Sequence, residues 1–307
     1  MIKCVDLFCG CGGLSLGFQQ AGFDLVAAFD NWGKAINVYN ENFLDHKAIM
    51  HDLSNIELTT DILKNIAPDI IIGGPPCQDF SSAGNRNESF GRAELTINFA
   101  EIICNIMPGF FLMENVDRII KTETLHAARK YFINHGYYVH EVLLDASYFN
   151  VPQKRKRFFM FGNKYKDLSQ QINIEIEKLK STYPTTLKDY FDDALGITHY
   201  YRHPRSYNRR GIFTINEPSP TIRGVNRPIP EGYKLHPGDN ISLEQFKTVR
   251  ALTTKERSMI QTFPTTFIFN DSKTHIEQMI GNAVPVNLAN VVGTVYIKLI
   301  LDIVNDI

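Results

Sequence analysis

The chain has 307 residues, 44% hydrophobic and 21% charged, with a formal net charge of −1. Those values describe an ordinary soluble globular protein with room for a large domain and a small one, and they exclude a disordered chain or a globally basic nucleic-acid binder. Five cysteines without framework spacing point to a reducing compartment and no disulfides, and no apolar run approaches the length of a membrane span.

The first residues are expected to form a strand rather than a leader, and the first half alternates predicted strands with predicted helices. Apolar, β-branched runs predict strands at 2–8, 24–30, 48–51, 70–72, 110–115 and 137–144. Helical periodicity lies between them at 14–21, 34–43, 59–66, 95–107 and 124–135. That alternation predicts an α/β fold with a doubly wound, mostly parallel sheet covered on both faces. A further strand is expected at 157–162. Beyond Lys164 the pattern loosens to about Asp239 and predicts a smaller irregular lobe. Helical periodicity returns at 253–261 and 286–303. The expected division is 1–164 for the core domain, 165–248 for the lobe and 249–307 for the return to the core.

The most informative stretch is Gly73-Gly74-Pro75-Pro76-Cys77-Gln78, directly after the apolar run Asp69-Ile70-Ile71-Ile72. Two prolines stiffen the approach to Cys77, and two glycines allow close backbone approach. A polar run follows, so Cys77 reads as a presented thiol, a candidate nucleophile, rather than core filling. A nearby positive charge would favour its thiolate. Cys9 and Cys11 lack a matching His/Cys pair, so no metal site is expected.

In open α/β sheets, ligands bind at the carboxyl ends of the strands. The first predicted strand runs into Phe8-Cys9-Gly10-Cys11-Gly12-Gly13, whose glycines open a helix. The second ends in Asp30, placed to bind the hydroxyls of a ribose, and Asp52 follows the third, where it could accept from an adenine amino group. Each aspartate could equally serve a cap or turn. The glycine pattern lacks the full G-x-G-x-x-G, so a donor with an adenosine but no phosphates, such as S-adenosylmethionine, fits better than a dinucleotide. Positive charge is local: Lys154-Arg155-Lys156-Arg157 forms one cluster. A second spans Arg202, Arg205, Arg209 and Arg210, with Tyr200, Tyr201 and Tyr207 interleaved. Two basic patches with aromatics fit a groove for a phosphate backbone.

Six motifs in order resemble the DNA (cytosine-5)-methyltransferases over nearly the whole chain. The loop from Asp6 to Gly13 looks like the family's first motif. Gly74-Pro75-Pro76-Cys77-Gln78 is similar to its nucleophile loop, Glu114-Asn115-Val116 to its acidic motif, and Gln153-Lys154-Arg155-Lys156-Arg157 to its Gln-x-Arg-x-Arg motif. Arg250-Ala251-Leu252-Thr253, with Glu256, Arg257, Phe263 and Pro264, resembles the motif after the target-recognition region. Gly281-Asn282-Ala283-Val284-Pro285 looks like the last.

The resemblance implies S-adenosylmethionine-dependent methylation of cytosine carbon 5 within a short sequence of double-stranded DNA. Cys77 would attack carbon 6 and make carbon 5 nucleophilic. Glu114 would donate at ring nitrogen 3, while Arg155 and Arg157 hold the base carbonyl and Glu114. The target base must be extruded from the duplex. Donor contacts are implied for Phe8, Gly10, Cys11, Gly12, Gly13, Asp30, Asn31, Asp52, Leu53, Pro75, Asn282 and Ala283. DNA contacts are implied for Gln78, Ser81, Arg92, Arg202, Arg205, Arg209, Arg210, Arg223 and Arg227, with the loop 81–92 a candidate to close on DNA. A bacterial, cytoplasmic, monomeric enzyme of a restriction–modification system or an orphan enzyme is implied, with no stable protein partner and no membrane. Alternatives are a transfer-RNA cytosine methyltransferase, an inactive methyltransferase-like DNA-binding module, or a nicotinamide-dependent oxidoreductase. The chain departs from the family's usual pattern at Ala93, Thr96 and Asn31, the last followed by Trp32.

Overall fold

The computed structural model describes residues 1–76, 90–204, 206 and 208–306, with the side chains of 90–93 set aside. It divides into two compact units: Met1–Leu144, Lys156–Leu179 and Ala289–Ile307 form the first, Asp145–Arg155 and Lys180–Leu288 the second.

The strands in chain order are β1 (Lys3–Leu7), β2 (Asp24–Asp30), β3 (Ala48–Met50), β4 (Ile70–Gly73), β5 (Phe110–Val116), β6 (Tyr138–Asp145), β7 (Gln153–Lys154) and β8 (Lys156–Asn163). All but β7 form one seven-stranded sheet in the order β3-β2-β1-β4-β5-β8-β6. The pairs from β3 through β5 are parallel, and β8 runs antiparallel to β5. The strand order reverses between β1 and β4, which puts the switch point beside the loops that follow those two strands.

These strands are apolar on both faces because helices cover both. β4 is buried throughout, and β5 is buried up to Asn115. The covering helices are α1 (Gly13–Gln20), α2 (Gly33–Asn42), α3 (Ile56–Ile66), α4 (Phe90–Ile106), α5 (Glu123–Asn134) and α6 (Ser169–Leu179). Asn55 caps α3 by accepting from the Leu58 N–H, and Thr122 caps α5 by accepting from the Leu125 N–H. One core joins Val5, Ile71, Phe99, Ile103, Phe111 and Phe132.

The second unit holds a three-stranded sheet of β9 (His199–Tyr201) between β10 (Ile212–Thr214) and β12 (Arg250–Ala251). A two-residue strand, β11 (Ser219–Pro220), pairs with β7. Helices α7 (Leu187–Phe191), α8 (Leu243–Phe246), α9 (Thr254–Ile260) and α10 (Lys273–Asn282) complete it. Leu187, Tyr200, Phe213, Leu252, Ile260 and Ile280 share one core. The lobe is therefore ordered by its own core, and it keeps α9 and α10. The return to the first unit falls at Ala289 rather than 249. Asp239 organises an irregular part, accepting from the Gly211, Ile212 and His236 N–H groups and from the Tyr233 hydroxyl at 2.8–3.0 Å.

The last helix is α11 (Val286–Asp306). The helical stretch Lys273–Asp306 is long and apolar enough to cross a membrane, which corrects the expectation that no run reaches that length; 61% of its most apolar window is buried, the mark of a core helix.

Candidate functional site

In the first unit the loop after β1 is built from left-handed backbone. Phe8, Gly10 and Gly12 have φ of +63°, +54° and +97°. At Gly12, the N-cap of α1, a Cβ would lie 2.4 Å from the Phe43 ring, so only glycine fits. At Gly10 a Cβ would meet nothing within 4 Å, so this turn shows bare backbone to open space. Asp30 at the end of β2 staples the loop: its carboxylate accepts from the Gly10 N–H and the Trp32 N–H, both at 2.8 Å. A carboxylate has about four acceptor positions, so Asp30 keeps capacity for ribose hydroxyls. Open backbone beside a strand-end carboxylate fits an adenosine-bearing donor.

Cys11 is buried, and burial pushes its thiol up to about 12. Asn31 is exposed and Trp32 half-buried. Leu53 is buried. Asp52 accepts from the Ser54 N–H at 2.9 Å, a turn role that holds its carboxyl below the usual range.

A buried carboxylate stands at the end of β5. Glu114 pairs with Arg157 of β8, Oε1 to Nε 2.8 Å, and both side chains are about nine-tenths buried. Burial pushes the Arg157 guanidinium down, and the charges of Glu114 and Asp117 oppose that shift. The β4 exit lies against this pair. A Cβ on Gly74 would come within 2.9 Å of Glu114 Oε2, and Asn115 Nδ2 donates to the Pro75 carbonyl at 2.8 Å. The strand that carries the carboxylate thus tethers the segment entering Cys77. Cys77, Gln78, Ser81 and Arg205 lie outside the described residues, as does most of the loop 81–92, and nothing is described of the Arg92 side chain.

Asp6 was not singled out from the sequence. It is fully buried in β1, accepts from the Ser15 hydroxyl at 2.5 Å, and has its other oxygen without a partner. Burial first, then the charges of Asp30 and Glu114, raise its pKa to about 8, against the opposing Ser15 hydrogen bond. A lone acid inside an otherwise apolar strand was the available signal.

The remaining expected residues belong to the second unit. Arg155 donates its guanidinium to the carbonyls of Ile222, Gly281 and Ala283 at 2.8–2.9 Å and braces those segments. Arg155 itself lies between β7 and β8, outside both strands. Asn282 is exposed and Ala283 half-buried at the end of α10. Arg202 donates to the Thr221 carbonyl at 2.8 Å and Arg223 to the His203 carbonyl. Arg210 is held by Glu217 at 2.6 Å, with its guanidinium 4.1 Å from the Phe213 ring centre. Arg209 and Arg227 are exposed. Sequence reasoning missed Gln261 and Glu277, and gave Arg257 no structural role. Gln153 Nε2 donates to Gln261 Oε1 at 2.6 Å, and Arg257 pairs with Glu277 at 2.8 Å. Among the described residues no group of three or more His, Cys, Asp or Glu side chains converges as a metal site.

Comparisons with known proteins agree on one group. The chain is 54% identical over 300 residues to the type II methyltransferase M.HindV of Haemophilus influenzae, covering 97% of each. It is 51% identical over 295 residues to M.HgiDI of Herpetosiphon aurantiacus, covering 95% of this chain and 93% of that one. Among solved structures, a DNA modification methyltransferase encoded within an Escherichia coli prophage matches with a TM-score of 0.72 at 25% identity, over 98% of this chain and all of that one. The Dnmt2 methyltransferase of Schizosaccharomyces pombe matches in fold, with a TM-score of 0.74 at 20% identity, over 99% of this chain and all of the other. The model of the C-5 cytosine-specific DNA methylases matches residues 2–298, and with the strand-end carboxylate and glycine loop in place, the chain belongs to that family and is a DNA cytosine-5 methyltransferase.

Proposed function

We propose that the enzyme methylates carbon 5 of a cytosine within a short specific sequence of double-stranded DNA, with S-adenosylmethionine as donor, by extruding the base and attacking it with Cys77. The observation that carries this reading is the buried Arg157–Glu114 pair against Gly74 and Pro75. It sets a carboxyl group next to the segment that leads to the only cysteine flanked by two prolines.

Carbon 5 of cytosine is too weak a nucleophile to take a methyl group directly. The Cys77 thiolate forms a bond to carbon 6, and the ring electrons move onto carbon 5 and nitrogen 3. Glu114, which takes up a proton when the base enters, meets the charge at nitrogen 3 with that proton, and Arg157 fixes the carboxyl that delivers it. S-adenosylmethionine supplies an electrophilic methyl group when bound. Asp30 would hold the ribose hydroxyls, and the bare turn at Gly10 would lie against the donor. Once carbon 5 carries the methyl group, a base takes its proton, the 5,6 double bond re-forms as the carbon 6–sulfur bond breaks, and the Cys77 thiolate leaves. The relatives named as type II methyltransferases support a role in protecting DNA in a bacterial restriction–modification system.

Labelled methyl incorporation tests the reading. Plasmid DNA incorporates label and transfer RNA does not, and Cys77→Ala loses incorporation while still binding the donor. Oligonucleotides containing 5-fluorocytosine become covalently trapped on the wild type when the donor is present. A Cys77→Ala protein that turns over at the wild-type rate refutes it.

A further inference from the structure

In the second unit, residues 221–227 form neither helix nor strand, yet buried polar side chains hold four of the seven, Ile222, Arg223, Val225 and Asn226. The Thr221 carbonyl accepts from Arg202, and the Thr221 hydroxyl donates to the Lys154 carbonyl, both at 2.8 Å. Ile222 gives its N–H to Gln153 Oε1 at 2.8 Å, and its carbonyl accepts from Arg155 at 2.9 Å. The Arg223 and Val225 carbonyls both accept from Arg257. Asn226 donates to the Leu252 carbonyl at 2.8 Å and to Glu277 at 3.0 Å. Gly224 is seated on α10, where a Cβ on Gly281 would come within 2.2 Å of the Gly224 nitrogen.

Gln153, Arg155, Arg257 and Glu277 are 0–5% exposed. Burying such groups carries a desolvation cost that pairing only offsets, so a network of this kind fixes a conformation more than it adds stability. What it fixes is a strip that turns two side chains outward: Val225, 49% exposed, and Arg227. Pro228 follows and restricts the Arg227 backbone to extended conformations. Arg223 is directed to the His203 carbonyl while Arg202 reaches the Thr221 carbonyl, so these two arginines lace the strip to the chain leaving β9. The His203 imidazole sits below its usual range, first through burial and then through the charges of Arg227 and Arg223.

A phosphate contact needs charge but little backbone precision, since flexible basic side chains reach phosphates from many positions. Reading a base edge needs the guanidinium fork placed within a fraction of an ångström. Only the second demand accounts for a strip pinned at Thr221, Ile222, Arg223, Val225 and Asn226. We infer that 221–227 is a rigid reading strip and that Arg227 determines specificity, donating its fork to O6 and N7 of a guanine in the recognised sequence. Arg202 and Arg223 set the strip's position.

The inference rests on the sequence-specific DNA methylation proposed above. The test is bisulfite sequencing of plasmids from a methylation-deficient host expressing wild type, R227K or R227A, with purified rates measured against salt. Both variants are expected to slow methylation of the original site about ten- to a hundredfold and to relax the sequence requirement at one base pair. R227K keeps the charge but loses the fork. An R227K protein with the wild-type site profile and rate overturns the inference. So does an R227A protein that slows every site in parallel and lowers the salt slope by about one, the signature of a phosphate contact. A wild-type chain that methylates no DNA overturns the underlying reading and this one with it, a result separable from either variant outcome.

Discussion

Gly74 and Glu114 compete for the same space: a Cβ at position 74 would lie 2.9 Å from Glu114 Oε2. The glycine in the β4 exit therefore serves the carboxyl on the neighbouring strand as well as its own turn. Gly74→Ala is expected to displace the Glu114 carboxyl and lower kcat about a hundredfold, the scale of a small misplacement at a reacting group. Donor binding and the melting temperature should change little. Stopped assays with labelled donor, beside a thermal melt, check both halves of that statement.

Breaking the buried pair should be costly in one direction. Arg157→Ala leaves the Glu114 carboxylate buried without its 2.8 Å partner and is expected to destabilise the protein by about 3–5 kcal/mol. Adding Glu114→Gln should recover part of that loss, because the stranded charge is gone, while activity stays absent. Urea midpoints of the two single variants and the double variant measure the coupling.

Asp6 predicts a pH dependence of stability. Its ordinary value is 3.8 and its folded value about 8. Between those limits the folded protein holds a proton that the unfolded chain has released. Stability therefore falls as pH rises through the window, by up to about 1.4 kcal/mol per unit from this group. Asp6→Asn removes the titration. The difference between wild-type and variant melting temperatures, followed from pH 4 to 8, should drift steadily against the wild type, and a flat difference refutes the assignment.

In the second unit, Gly281→Ala would force a methyl group to within 2.2 Å of the Gly224 nitrogen, a backbone atom. A loss of about 1–3 kcal/mol is expected, typical of overpacking. Arg155→Ala would take the donor from three carbonyls, at about 1–3 kcal/mol for each buried acceptor left unmet, and is expected to be the more damaging change. Chemical denaturation followed by circular dichroism ranks the two.

The first unit was legible because its strands are apolar on both faces and its helices are periodic. β2 fell at the expected residues, and most other boundaries within two. The second unit was not. Its strands are two or three residues long, and its polar clamp joins residues as far apart as Gln153 and Gln261. No local period records such pairs. In the first unit α6 was missed because only Ile172 and Ile176 mark its inner face, and in the second α10 was missed because Ile276, Met279 and Ile280 stand among polar neighbours. Glu114 and Arg157 followed from their motifs, whereas the carbonyls that Arg155 meets lie 67 to 128 residues away in the chain, beyond the reach of any local pattern.

Cys4, Cys9, Cys11 and Cys104 are all buried, and burial raises each thiol, with Cys11 and Cys104 reaching about 12. Reactivity toward alkylating reagents follows thiolate content and exposure, so in the native protein these four are silent. A brief iodoacetamide pulse thus tests the nucleophile role proposed for Cys77, a single uptake being the expected outcome. If Cys77 has that role, the uptake, counted by intact mass, falls when DNA is bound, with no engineered removal of the other sulfhydryls.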